Sequence, residues 1–226
     1  MDVPGALAAN LRTMTELAGQ ASALAAPLAE ATALIHTALT SGGKLLCCGN
    51  GGSACDAAHF TAEIAGRYRL NRRGFPAIDL TANHSTVTAL INDYPPEQVF
   101  ARQVVAQGAG GDVLCGFSTS GDSQNVKLAL EAATAGGLHT VAFLGGDGGA
   151  CRGLADVELV VPNNVTARVQ EIHLLLYHTI CEVLDPVLAD AVFSCVVFFT
   201  TAVPYADKNS EHDASSPCPI SNISTA

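Results

Sequence analysis

Five short apolar runs, each followed by a cluster of Gly or Ser and then by residues at helical spacing, restrict what this chain can fold into more than any other feature. The runs are 44–48, 77–80, 113–117, 140–144 and 158–161. Strands alternating with helices predict βαβ units, and strands apolar at every position predict a parallel sheet covered on both faces. The expected fold is therefore α/β, a doubly wound parallel sheet built on these five strands. Ahead of the first run, residues 6–40 are rich in Ala and Leu at helical spacing. They predict two extra N-terminal helices, with Pro27 near the start of the second. A last long helix is expected over 166–184.

Composition sets the remaining bounds. The chain has 226 residues, 49% hydrophobic and 14% charged, and its mean hydropathy is +0.30, enough for one core and too apolar for general disorder. With 21 acidic against 11 basic residues the net charge is −10, which argues against nucleic acid or an anionic membrane as primary partner. A local basic patch at Arg67, Arg69, Arg72 and Arg73 is still a place for a small phosphate. Eight cysteines without CxxC spacing, and no secretory leader, read as buried free thiols in a reducing compartment, so a cytoplasmic location is expected. Any metal site must use His with carboxylate or amide groups. The most apolar stretch, 191–203, falls short of the ~20 residues that span a bilayer. One domain is expected over 1–190. Residues 191–226 are expected to form an appended apolar segment and a polar, disordered tail.

Ligands of open α/β sheets bind beside the carboxyl ends of strands. Three loops fall there: Gly49-Asn50-Gly51-Gly52-Ser53, Ser118-Thr119-Ser120-Gly121-Asp122-Ser123, and Gly145-Gly146-Asp147-Gly148-Gly149. The second brings four hydroxyls to the start of a helix, which suits a phosphate monoester. The competing reading is an ordinary N-cap by Ser120 or Asp122, but capping needs one hydroxyl and four are present. The first loop lacks both G-x-G-x-x-G spacing and the Walker lysine. It is expected to be a tight turn that lets a ligand approach the backbone, with Ser53 at the helix start.

His59 and Glu63, four residues apart, share a helix face and could bind a metal or exchange protons. In the last helix Val169, Ile172, Leu176, Ile180 and Val183 form an apolar stripe. Gln170 and His178 lie off that stripe, about 80° apart, and can face one cavity two turns apart. Glu171 and His178, only about 20° apart, are a rival pair. His173, beside the stripe, is expected in the core or an interface.

With these pieces in order, LLCCGNGGSACDAAHFTAEIAGRY, INDY, GDVLCGFSTSGDSQNV, GGDGG and RVQEIHLLLYHTICE resemble the sedoheptulose 7-phosphate (phosphoheptose) isomerases of the SIS, or sugar isomerase, superfamily. The likeness covers roughly residues 5–185. It implies a flavodoxin-like sheet, a homotetramer with sites between subunits, and conversion of sedoheptulose 7-phosphate to D-glycero-D-manno-heptose 7-phosphate. It also implies roles. Ser53, Ser118, Thr119, Ser120 and Ser123 would hold the sugar phosphate, with Asn50, Gly51 and Gly52 beside them. Asp93 and Gln170 would meet or support the substrate. His59, Glu63, Gln170 and His178 would hold one zinc per subunit, and Glu63 and His178 would be the acid/base pair. Many relatives have an acidic residue directly before the Arg of R-x-Q-E, where this chain has Ala167. Other members of the superfamily are noncatalytic adaptors of the bacterial replication initiator protein, or sugar-phosphate sensors. The adaptors tend to lack the Glu and final His that this chain keeps.

Overall fold

The computed structural model describes residues 1–190; the apolar segment and tail expected over 191–226 lie outside the described residues. All five apolar runs are strands: β1 (Leu45–Gly49), β2 (Ala77–Asp79), β3 (Val113–Ser118), β4 (His139–Gly145) and β5 (Val157–Val161). They form one parallel sheet in the order β2-β1-β3-β4-β5. This is the flavodoxin-like doubly wound order, and its switch point lies between β1 and β3. Side chains alternate between the two faces along each strand. Leu46, Cys48, Leu114 and Leu144 join one core with Val104, Val126 and Leu130. On the other face Phe117 and Phe143 stack at 4.4 Å, and Phe60 lies edge-on to Phe143.

Among the described residues there are seven α-helices: α1 (Val3–Ala21), α2 (Ala25–Thr40), α3 (Gly52–Ala65), α4 (His84–Asp93), α5 (Val99–Gln107), α6 (Gln124–Ala135) and α7 (Thr166–Ala189). The two N-terminal helices are present, and Pro27 stands in the first turn of α2, where a missing N–H costs nothing. Helices α2, α3 and α7 pack together, whereas α5 and α6 form a second pair. In length and composition, α7 and the α1–α2 stretch are apolar enough to cross a membrane. The apolar side of α7 is nevertheless used in the core, where Val169, Ile172, Leu176, Tyr177, Ile180 and Leu184 are buried.

That stripe differs from expectation at its end: Leu184 is buried and Val183 is 55% exposed. Steps of three and four residues drift around a helix, and the step after Ile180 is four rather than three. The helix also continues through Pro186 to Ala189 instead of stopping near residue 184. The residue before a proline resists helical geometry, but Asp185 is locked in place. Its carboxylate accepts from the Arg69 and Leu70 amides at 2.8 and 2.6 Å and pairs with Arg72 Nε at 2.8 Å.

The same contacts engage three of the four arginines of the basic patch. Arg72 is buried against Asp185 and donates to the carbonyls of Glu63 and Ile64 at the end of α3. Arg69 pairs with Glu182, and Arg67 donates to the Arg69 carbonyl. The guanidinium groups of Arg67, Arg69 and Arg72 thus fasten the 66–74 segment to α3, to α7 and to itself. The thiols also depart from expectation at one place. Cys47, Cys48, Cys115, Cys151 and Cys181 are buried and free, but Cys55 is exposed.

Candidate active site

The first and second loops meet at the switch point between β1 and β3. Asn50, at the tip of the first, exchanges two side-chain hydrogen bonds of 2.8 Å with Asn125 in the first turn of α6. Gly51 has φ +56°, in the region that favours glycine. A Cβ on Gly52 would stand 2.4 Å from Gln170 Nε2, so the absence of a side chain is what lets the amide of Gln170 rest on the first turn of α3. Ser53 is buried in that turn.

The second loop does not act as an ordinary cap. Ser123, at the N-cap of α6, makes no side-chain bond to the first-turn amides, as is also the case at α2, α3, α5 and α7 and unlike Asp2 and Asn83 at α1 and α4. The Ser123 hydroxyl lies 3.0 Å from Ser118 Oγ. Ser120 Oγ accepts from the Asp122 amide at 3.1 Å, and Asp122 turns away to accept from the Ala150 amide. Leaving the first-turn N–H groups of α6 without a side-chain cap is costly unless another acceptor takes them. The helix dipole and the grouped hydroxyls make an anion the fitting acceptor.

Farther along α3, His59 and Glu63 face α7. His59 Nε2 lies 3.0 Å from Glu63 Oε1 and 3.5 Å from His178 Nε2. One donor atom from each of the three residues falls within 4.8 Å of the others. A tetrahedral ion bound at about 2.0–2.1 Å holds its ligand atoms about 3.3 Å apart. The separations of His59 from Glu63 and from His178 bracket that value, and two imidazoles with one carboxylate are a fitting donor set. Burial, and then the neighbouring His59, push the His178 pKa down, while Glu63 partly offsets both. Tyr68 lies against the His178 ring at 5.7 Å.

The structure thus brings His59, Glu63 and His178 together. The amide of Gln170, the fourth expected ligand, rests against Gly52 at the start of the same helix as His59 and Glu63. Glu171 does not partner His178, because Arg168 in the same helix takes its carboxylate. His173 is a core residue, with Nε2 donating to the Leu144 carbonyl at 3.1 Å, and burial lowers its pKa to about 4. Asp93 ends α4 in an exposed position, its carboxylate accepting from Asn92. A separate cavity of about 820 Å³, lined by Leu90, Tyr94, Ala101, Arg102 and Leu128, opens among α4, α5 and α6.

Two site residues were not singled out in the sequence. Asp56 precedes His59 by three residues, the spacing of one helical turn, and that was the available signal. It is 9% exposed, has a carboxylate oxygen without a partner among the described residues, and is raised by burial to a pKa of about 6. Tyr177 sat hidden in the apolar run LLLYH; its hydroxyl lies 3.0 Å from His59 Nδ1.

A flavodoxin-like sheet with a hydroxyl-rich loop at its switch point defines a SIS-domain protein, and the SIS domain family matches residues 11–145. The phosphoheptose isomerase of Citrifermentans bemidjiense is 45% identical over 185 residues, covering 82% of this chain and 95% of that protein. Among solved structures, the phosphoheptose isomerase of Neisseria gonorrhoeae aligns with a TM-score of 0.77 and 41% identity, covering 81% of this chain and 99% of the other. That of Francisella tularensis aligns with a TM-score of 0.79 and 35% identity, covering 82% and 100%. The chain belongs to the phosphoheptose isomerases and is an enzyme of that isomerase family.

Proposed function

We propose that the enzyme converts sedoheptulose 7-phosphate to D-glycero-D-manno-heptose 7-phosphate, with Glu63 and His178 as its acid/base pair. The observation that carries this reading is the approach of Glu63 on α3 to His178 on α7, beside two loops suited to a phosphate. Isomerisation moves a proton between C1 and C2 through an enediol and another between the two oxygens. Glu63 is the group to take the carbon-bound proton. His178, kept neutral by burial and by His59, is able to accept a hydroxyl proton and return it. Ser53, Ser118, Thr119, Ser120 and Ser123, with the backbone at Asn50, Gly51 and Gly52, are assigned to the phosphate. Gln170, lying at Gly52, is assigned to the sugar between the two regions.

Zinc is the proposed metal, one per subunit, held by His59, Glu63 and His178, with Gln170 as a fourth donor once its amide leaves Gly52. Such an ion would act as a Lewis acid on the substrate oxygens. Ligation and proton abstraction compete for one carboxylate, so Glu63 serves one role at a time.

A cytoplasmic homotetramer with sites at subunit interfaces completes the proposal. Leu7 and Leu11 on α1 are exposed, and the apolar groove among α4, α5 and α6 is open; both suit burial against other copies. Asp93, on a helix bordering that groove, is assigned to a site completed across such an interface. We assign the isomerase domain to residues 1–190. The replication-initiator adaptor reading loses its basis because Glu63 and His178 are both present and face each other.

The test is Glu63→Gln. Sugar-phosphate binding should persist while turnover falls on the order of 10² or more, the scale of losing a general base. Turnover at the wild-type rate would remove Glu63 from the chemistry.

A further inference from the structure

Tyr177 belongs to the aromatic core by its ring and to the site by its hydroxyl. The ring is fully buried, stacked on Phe60 at 5.5 Å and edge-on to Phe117 at 6.2 Å. Its oxygen is therefore fixed, 3.0 Å from His59 Nδ1. The His59 side chain is 43% exposed, too open for packing alone to set its ring. The opposite nitrogen, Nε2, is the one that faces Glu63 and His178.

We infer that Tyr177 is a positioning residue whose buried hydroxyl holds the His59 ring with Nε2 aimed at Glu63 and His178. A hydroxyl both donates and accepts, so it serves either tautomer. It donates to Nδ1 while Nε2–H points to Glu63, and it accepts from Nδ1–H when Nε2 gives its lone pair to a metal. Partners of the second nitrogen of a ligating imidazole are commonly worth about 10- to 100-fold in metal affinity. Tyr177 is also the direct neighbour of His178, so a single turn of α7 supplies both a ligand and the support for another ligand on α3. The inference rests on the metal reading proposed above.

The experiment compares the metal-free full chain with its Tyr177→Phe variant, which keeps the ring and its packing. Zinc is titrated into each by calorimetry, and the His59 tautomer of the zinc-loaded wild type is read from long-range proton–nitrogen NMR correlations. The expected result is a zinc Kd raised about 10- to 100-fold in the variant, at unchanged thermal stability of the metal-free protein, with His59 protonated at Nδ1 in the loaded wild type. Equal zinc affinity of the two proteins, or a loaded His59 without a proton on Nδ1, would overturn the role of Tyr177. Should the variant fail to fold, solvent exchange of the His59 Nδ1 proton in the zinc-loaded wild type decides: slow exchange is expected for a proton held by the buried hydroxyl, and exchange as fast as that of an open imidazole would overturn the role of Tyr177. A wild type that takes up no zinc would refute the metal reading, and the inference with it; equal binding by both proteins refutes only the inference.

Discussion

Replacing Asp185 by Ala tests how α3 and α7 are held at the spacing the site needs. The Asp185 carboxylate accepts three hydrogen bonds, from the Arg69 and Leu70 amides and from Arg72 Nε, and the side chains of Asp185 and Arg72 are 3% and 2% exposed. Removing one partner of such a pair strands the other as a buried charge, which costs about 3–5 kcal/mol. For a chain of this size each kcal/mol moves Tm by about 2–4 °C, so Asp185→Ala should lower Tm by about 6–20 °C. Guanidinium unfolding at one fixed protein concentration measures the loss directly. A double variant, Arg72→Met with Asp185→Leu, leaves no stranded charge and should lose less than the two single changes added together. There is a pH signature as well. Burial raises the Asp185 pKa, but the Leu70 and Arg69 amides and Arg72 outweigh it and hold the carboxyl below its usual value. Its stabilisation is therefore present above the ordinary carboxylate pKa and is lost as pH falls through the lowered one, so the acid limb should flatten in the variant. A loss under about 1 kcal/mol for Asp185→Ala would refute the claim that this pair clamps the two helices.

Three other outcomes are expected. Ser123→Ala removes a hydroxyl that caps nothing, so the fold should hold while KM for the sugar phosphate rises roughly 10- to 150-fold, the loss of one hydrogen bond to a charged group; steady-state kinetics with an unchanged KM would contradict the phosphate assignment. His173, depressed to about 4 by burial, binds its proton more readily when unfolded, so stability should fall as pH drops from about 6.5 towards 4, by on the order of 3 kcal/mol; pH-dependent unfolding of His173→Gln should lack that decline. Truncation after Asp190 should leave isomerase activity and assembly intact, as read by turnover and light scattering; a folded, tetrameric but inactive product would place residues 191–226 in the site.

The strands were legible because burial on both faces of a parallel sheet writes itself as local composition. His59 and Glu63 were legible because one helical turn joins them. What escaped depends on residues far apart in the chain. Asn50 and Asn125 find each other across 75 positions, Arg72 and Asp185 across 113, and Tyr177 and His59 across 118. No local pattern marks such a pair, and Tyr177 was concealed by doing two jobs, of which the apolar one dominates its neighbourhood. The run of four arginines misled in the opposite direction. Its positions in the sequence suggested a shared ligand, whereas the fold sends the guanidinium groups of Arg67, Arg69 and Arg72 to α3, to α7 and to their own loop.

Helix α3 carries Gly52 and Ser53 at one end and His59 and Glu63 towards the other. At about 1.5 Å of rise per residue, Ser53 and Glu63 stand about 15 Å apart along one rod. With the phosphate seated at the first turn as proposed, the helix works as a ruler: it measures the substrate from its anchored end and sets where along the carbon chain the base can reach. A shorter sugar phosphate in the same loops leaves its carbonyl end one bond farther from Glu63 for each carbon removed. Length selection then needs no wall at the end of the pocket, because the rigidity of α3 has already set the reach.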